Sequence, residues 1–214
     1  MRISEDRYSR DLRRIHLAQR FIQHEVRTQW ICAWTGLSGV RVRNLYRSYI
    51  QSLNETRRHR GPSPRRIASY LRSPALRAQA SAAGGLARVL GVVPEEPLPH
   101  ARKALQTIDT GERLCDVYEL YQQIVPESPF TMDQLIVLVI ALAEGEDLMI
   151  GHCRNCHGAL LLDRLGASRR LCLGCRQAAG DLSGNTAQVA GAGDPPVDSR
   201  DASDSFEERQ KSLF

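Results

Sequence analysis

A mostly helical fold, with a small metal-held module towards the carboxyl end and a disordered tail behind it, is what the sequence predicts. Three observations predict it. Apolar residues recur at helical spacing through most of residues 8–147. Cys153-Arg-Asn-Cys156 and Cys172-Leu-Gly-Cys175 set two Cys-x-x-Cys pairs 15 residues apart. From about Ala178 the chain is rich in Gly, Ala, Ser, Asp and Pro with no periodicity, a composition that cannot bury a core. The division is a helical body (1–147), a four-cysteine zinc-ribbon-like module (148–177) and a disordered acidic tail (178–214).

Length and charge bound the rest. A chain of 214 residues with 42% hydrophobic content buries one core, plus a small module that needs metal because it is too short to stabilise itself. The longest apolar run, Leu135 to Ala143, is 9 residues and cannot span a bilayer, so no membrane partner is expected. Cysteines in a metal-type pattern, without a signal peptide, point to a reducing cytoplasm. The formal charge of +5 hides an asymmetry: residues 1–110 carry a net +12 and residues 111–214 a net −7. Lys103 and Lys211 are the only lysines, so the basic charge is nearly all arginine, the side chain suited to bidentate contact with phosphate and guanine. Clustering of this size favours a polyanionic partner.

In chain order, Tyr8 to Val26 reads as a long amphipathic helix, with Tyr8, Leu12, Ile15, Ile22 and Val26 inward and Arg10, Arg13, Arg14 and Arg20 largely on other faces. Residues 28–52 match a helix-turn-helix: Gly36 at the turn, Ile31 and Cys32 on the first helix, Leu37 after the turn, Val42 and Leu45 facing inward from the second, Ser38 as its cap. Its outward face then presents Arg41, Arg43, Asn44 and Arg47, donors and acceptors that fit a major groove, since arginine reads guanine and asparagine reads adenine. A surface helix with a solvated arginine face is the other reading. Arg57, Arg58, Arg60, Arg65 and Arg66 follow around a Gly-Pro-Ser-Pro loop, where they would track phosphates without reading bases.

Ser63-Pro64 and Ser73-Pro74 each look like an N-cap with proline at the first helical position, opening short helices, the second weakened by Gly84-Gly85. Pro94, Pro97 and Pro99 make a stiff acidic linker, followed by one helix from about Ala101 to Gln123 with Leu105, Ile108, Cys115 and Tyr118 on one side. Thr131-Met-Asp-Gln134 is a capping box opening a helix that requires burial on all faces. Ala159 to Leu162 reads as a strand, Asp163 to Ser168 as a turn and Arg169 to Leu171 as the returning strand.

Cys153, Cys156, Cys172 and Cys175 would complete a tetrahedron around one Zn²⁺ per chain, leaving no open position for water, so the metal holds structure and hydrolyses nothing. Iron–sulfur ligation is the competing use of four thiolates. His152 and His157 flank the first pair as outer donors or exposed residues, and Cys32 and Cys115 read as small buried hydrophobes. No Gly-rich phosphate loop, His-Glu-x-x-His helix or nucleophile elbow is present, and a binding protein rather than an enzyme, with no small-molecule substrate, is expected.

Three stretches carry a family resemblance: Gly36-Leu-Ser-Gly-Val-Arg-Val-Arg-Asn-Leu-Tyr46, Val117-Tyr-Glu-Leu-Tyr121, and the apolar helix running into Cys153-Arg-Asn-Cys156 and on to Cys172-Leu-Gly-Cys175. Over about residues 7–178 the chain resembles the flagellar transcriptional activator FlhC family. The resemblance implies a mostly helical subunit whose four cysteines hold zinc, binding double-stranded promoter DNA in a hetero-oligomer with an FlhD-like partner to activate flagellar genes. From another class, a zinc-stapled RNA-binding or protein-assembly factor would use the same arginine-rich face without base readout.

Overall fold

The stretch with the strongest need for burial sits at the centre of the molecule. The computed structural model describes residues 2–53, 70–71, 73–166 and 170–180, the side chains of 2–6 and 49–53 excepted. The elements are α1 (Arg2–Gln23), α2 (Thr28–Thr35), α3 (Gly39–Leu53), α4 (Pro74–Val89), α5 (Ala101–Leu105), α6 (Ile108–Ile124), α7 (Met132–Glu144), β1 (Leu148–His152), β2 (Ala159–Asp163) and α8 (Leu173–Ala178). The fold is mostly α, as the periodicity implies. Thr131 and Gln134 open α7 with a reciprocal capping box, each side chain accepting from the other's backbone N–H (3.3 and 2.8 Å). Leu135, Ile136, Leu138, Val139 and Ala143 are fully buried, and α4, α5, α6 and β1 of the same chain supply the neighbours.

The amino-terminal helix meets the sequence expectation at Ile22, and at Val26 just beyond its end, both of which are buried, and departs from it at Tyr8 and Leu12. It closes on the body through Leu17, Ala18, Phe21 and Ile22, while Tyr8 is 71% and Leu12 40% exposed. Burial of those apolar side chains sets the face, and a row of ion pairs lies along its edge. Arg13 meets Asp109 and Glu112 (both 2.6 Å), and Arg20 meets Asp116 (2.7 Å) and Glu119 (2.9 Å), all four carboxylates lying on α6. His24 adds a contact to Glu119 at 3.0 Å. Burial works to raise Glu119, and the bonds from His24 and Arg20 outweigh it, holding its carboxyl below the usual range. Three of these carboxylates, Glu112, Asp116 and Glu119, belong to the acidic half of the chain, so the two halves meet along the α1–α6 contact.

Further on, one expected helix is two, and one weakened helix is long. Thr107 accepts from the Thr110 N–H (3.1 Å) and caps α6, so the run from Ala101 to Gln123 breaks into α5 and α6. Ser73 caps α4 with Pro74 at its first position, and the helix continues for 16 residues through Gly84-Gly85. Those glycines permit close approach: a Cβ on Gly84 would lie 2.9 Å from Ile150 Cδ1, and one on Gly85 2.7 Å from Ala159 Cβ. The Pro94–Pro99 connection is pinned to the body by buried Val92 and Val93 and by the Leu98 N–H donating to the Ala143 carbonyl (2.8 Å). Ser63-Pro64 and the tail from residue 181 lie outside the described residues.

The strand expected at Arg169–Leu171 is not formed. Arg170 and Leu171 are irregular, residue 169 lies outside the described residues, and β2 pairs instead with β1, antiparallel, from Leu148↔Asp163 to His152↔Ala159. The hairpin closes over the first cysteine pair, and its inner face, Leu148 and Leu161, joins the same core as α7. Two bonds seat it on α4: Arg77 Nε donates to the Leu161 carbonyl, and the Leu161 N–H donates to Ser81 Oγ, each at 2.9 Å. The module thus leans on the body as well as on its cysteines.

Candidate metal centre

The first cysteine pair is the tip of the β1–β2 hairpin. The Cys153 N–H donates to the Gly158 carbonyl (2.9 Å) and the His157 N–H to the Cys153 carbonyl (3.1 Å), closing a tight knuckle in which His157 takes a left-handed φ of 56°. The second pair opens α8: Cys172 is its N-cap, and its sulfur accepts from the Cys175 N–H at 3.4 Å. The two segments are tied by the Arg154 N–H donating to the Arg170 carbonyl (2.8 Å) and the Cys172 N–H to Cys153 Sγ (3.3 Å). The four sulfurs then lie within 4.8 Å of one another, Cys156 and Cys172 at 3.6 Å. A tetrahedron of thiolates around one ion with bonds near 2.3 Å has edges of about 3.8 Å, so these residues can hold a metal ion.

The electrostatics ask for a cation. Backbone N–H groups of Cys156, Cys172 and Asn155 push Cys153 down to about 6. At Cys175 the bond from Asn155 Nδ2 (3.3 Å) works to lower the value, but the crowding sulfurs of Cys172, Cys156 and Cys153 outweigh it and push the thiol up to about 12. Sulfurs this close cannot all ionise unless positive charge lies between them. Sequence reasoning missed Asn155, whose only signal was a side-chain amide between two cysteines. His152 Nδ1 lies 3.2 Å from the His157 carbonyl, and both histidines are exposed, outside the sulfur cluster. Cys115 is fully buried and its thiol pushed up to about 12, mainly by burial; Cys32 is half-buried.

At the other end of the body, Gly36 ends α2 in the left-handed region (φ 69°), and Ser38 Oγ accepts from the Arg41 N–H at 3.3 Å to open α3. Trp30, Ile31, Trp34, Leu37 and Val42 are buried and Leu45 half-buried, packing α3 against α1 and α2. Ser38, Arg41, Arg43, Asn44 and Arg47 are exposed. Arg57, Arg58, Arg60, Arg65 and Arg66 lie outside the described residues. Among the described residues no helix is long and apolar enough to cross a membrane. No protein-family model and no curated protein matches the chain.

Proposed function

We propose that the protein is a zinc-containing, sequence-specific DNA-binding transcriptional activator of flagellar genes, the FlhC-like subunit of a cytoplasmic hetero-oligomer with an FlhD-like partner, and not an enzyme. The observation that carries the reading is the outward face of α3, where Arg41, Arg43, Asn44 and Arg47 stand exposed on a helix held from behind by Val42 and Leu45. Arg13, Arg20 and Arg27 are engaged with carboxylates of the body, whereas Arg41, Arg43 and Arg47 make no ion pair among the described residues. A helix so presented fits a major groove, with bidentate arginines to guanine and asparagine to adenine.

Zinc is the ion that suits four sulfurs in a closed set, and one Zn²⁺ through Cys153, Cys156, Cys172 and Cys175 fixes α8 against the hairpin. The role is structural. The test is a randomised-site DNA selection with and without the FlhD-like partner, repeated with Arg43→Ala and Asn44→Ala. Each substitution removes about 1–3 kcal/mol of discrimination at one base while nonspecific affinity persists. If the variants return the same operator as the parent, α3 does not read bases. If the parent selects no sequence at all, the RNA-binding or assembly reading takes its place.

A further inference from the structure

Between α4, the start of β2 and the first turn of α8 lies a cavity of about 300 Å³. Its walls are unlike in kind. Pro74, Ala78, Ala82, Leu160, Leu171 and Leu173 make most of the lining apolar, and Arg77 and Arg176 add two guanidinium groups from opposite sides, α4 and α8. Arg77 Nη2 and Arg176 Nε are buried within the protein with no hydrogen-bond partner, so any ligand in the cavity meets the remaining edges of the two guanidinium groups. Neither arginine makes an ion pair among the described residues. Burial and then the charge of Arg176 hold Arg77 below its ordinary value, with Asp163 offsetting only part. Two like charges beside a largely apolar space repel one another, and an anion seated between them relieves that repulsion.

The geometry points to a binding site for a small organic carboxylate, its oxygens shared between Arg77 and Arg176 and its apolar body resting on Leu160, Leu171 and Leu173. Guanidinium forks match a carboxylate in two parallel bonds, and the alanines of α4 leave room for a short branched stem. Inorganic phosphate would satisfy the arginines but leave the leucine wall without a partner. Cys172 forms part of the same wall, which sets the site beside the second cysteine pair. The inference stands independently of whether α3 reads DNA.

Isothermal titration of the full-length, metal-loaded protein with isovalerate tests it, with isovaleramide as the uncharged counterpart and inorganic phosphate at matched ionic strength. Saturable binding of isovalerate is expected, with none of the amide. Arg176→Gln weakens it about tenfold, the loss of one charge-assisted bond, and Arg176→Lys weakens it less. Ala78→Leu fills the cavity from α4 and abolishes binding while both arginines remain, so the result does not depend on the Arg176 variants folding. Equal behaviour of acid and amide, or binding that survives Ala78→Leu, overturns the proposal. So does binding of phosphate in place of isovalerate. Loss of metal from Arg176→Gln, with no isovalerate binding by the parent protein, would assign that arginine to balancing the thiolates instead.

Discussion

Replacing Arg27 with methionine removes one partner of a buried ion pair that fixes where α2 begins. Arg27 precedes the first residue of α2, and it grips Asp133 in the first turn of α7 twice: its backbone N–H reaches Oδ1 at 3.2 Å and its Nε reaches Oδ2 at 2.8 Å. The Asp133 side chain is 7% exposed and that of Arg27 23%. Breaking a fully buried pair from one side costs about 3–5 kcal/mol, because the surviving charge is stranded. Here the backbone bond survives and the arginine is partly wet, so the cost is set at about 2–3 kcal/mol, or roughly 4–12 °C in Tm for a chain of this size. Trp30 and Trp34, the only tryptophans and both buried on α2, make fluorescence-detected urea unfolding the natural assay. Adding Asp133→Leu removes the stranded carboxylate and recovers part of the loss, the remainder being the acceptor taken from the residue 27 backbone N–H. If Arg27→Met unfolds within about 0.5 kcal/mol of the parent, or the double variant is no better than the single, the pair does not fix α2.

Cys153→Ser lowers bound metal well below one ion per chain, while the hairpin stays seated on α4; metal analysis together with retained protection of the Leu161 amide, which donates to Ser81, checks both halves. Gly85→Ala is destabilising by about 1 kcal/mol, since an added Cβ 2.7 Å from Ala159 Cβ costs more than the helix propensity returns, and Ala159→Gly restores the loss; a Gly85→Ala protein that melts higher than the parent contradicts the contact. Glu119 is held below its unfolded value of about 4.3, so its contribution is fully present above that pH and is lost as pH falls through the folded value. Glu119→Gln therefore flattens the acid limb of the stability profile, and an unchanged limb refutes the assignment.

Local codes were legible in the sequence because they act over three or four residues. Thr131 with Gln134, Ser73 with Pro74, Gly36 with Ser38, and the spacing within each Cys-x-x-Cys pair each specify a cap, a turn or a knuckle without outside help. What escaped were the choices made by distant partners. The arginines of α1 meet acids on α6 more than ninety positions away, partners that no periodicity within α1 can report. Gly84-Gly85 reads as a weak point in a lone helix and becomes a seat once a strand lies on it. The partner of β2 precedes the first cysteine pair because Leu148, buried beside α7, carries the hairpin into the core, whereas Arg170 is exposed and makes no strand. Thr107 caps α6 with nothing but its own hydroxyl to announce it.

The α1–α6 ladder has a consequence for how the chain comes into being. Its arginines are made first, and the carboxylates that answer them follow 96 to 99 residues later. Until then a nascent chain displays an arginine-rich helix whose apolar residues Leu17, Ala18 and Phe21 have no α6 to pack against, and synthesis from the amino end leaves that interval exposed to any passing nucleic acid. An excised fragment of residues 1–110 would be frozen in that unfinished condition, with its net +12 almost unopposed. It would cling to RNA and DNA alike, and its affinity would describe the missing carboxylates Glu112, Asp116 and Glu119 and nothing of the whole chain.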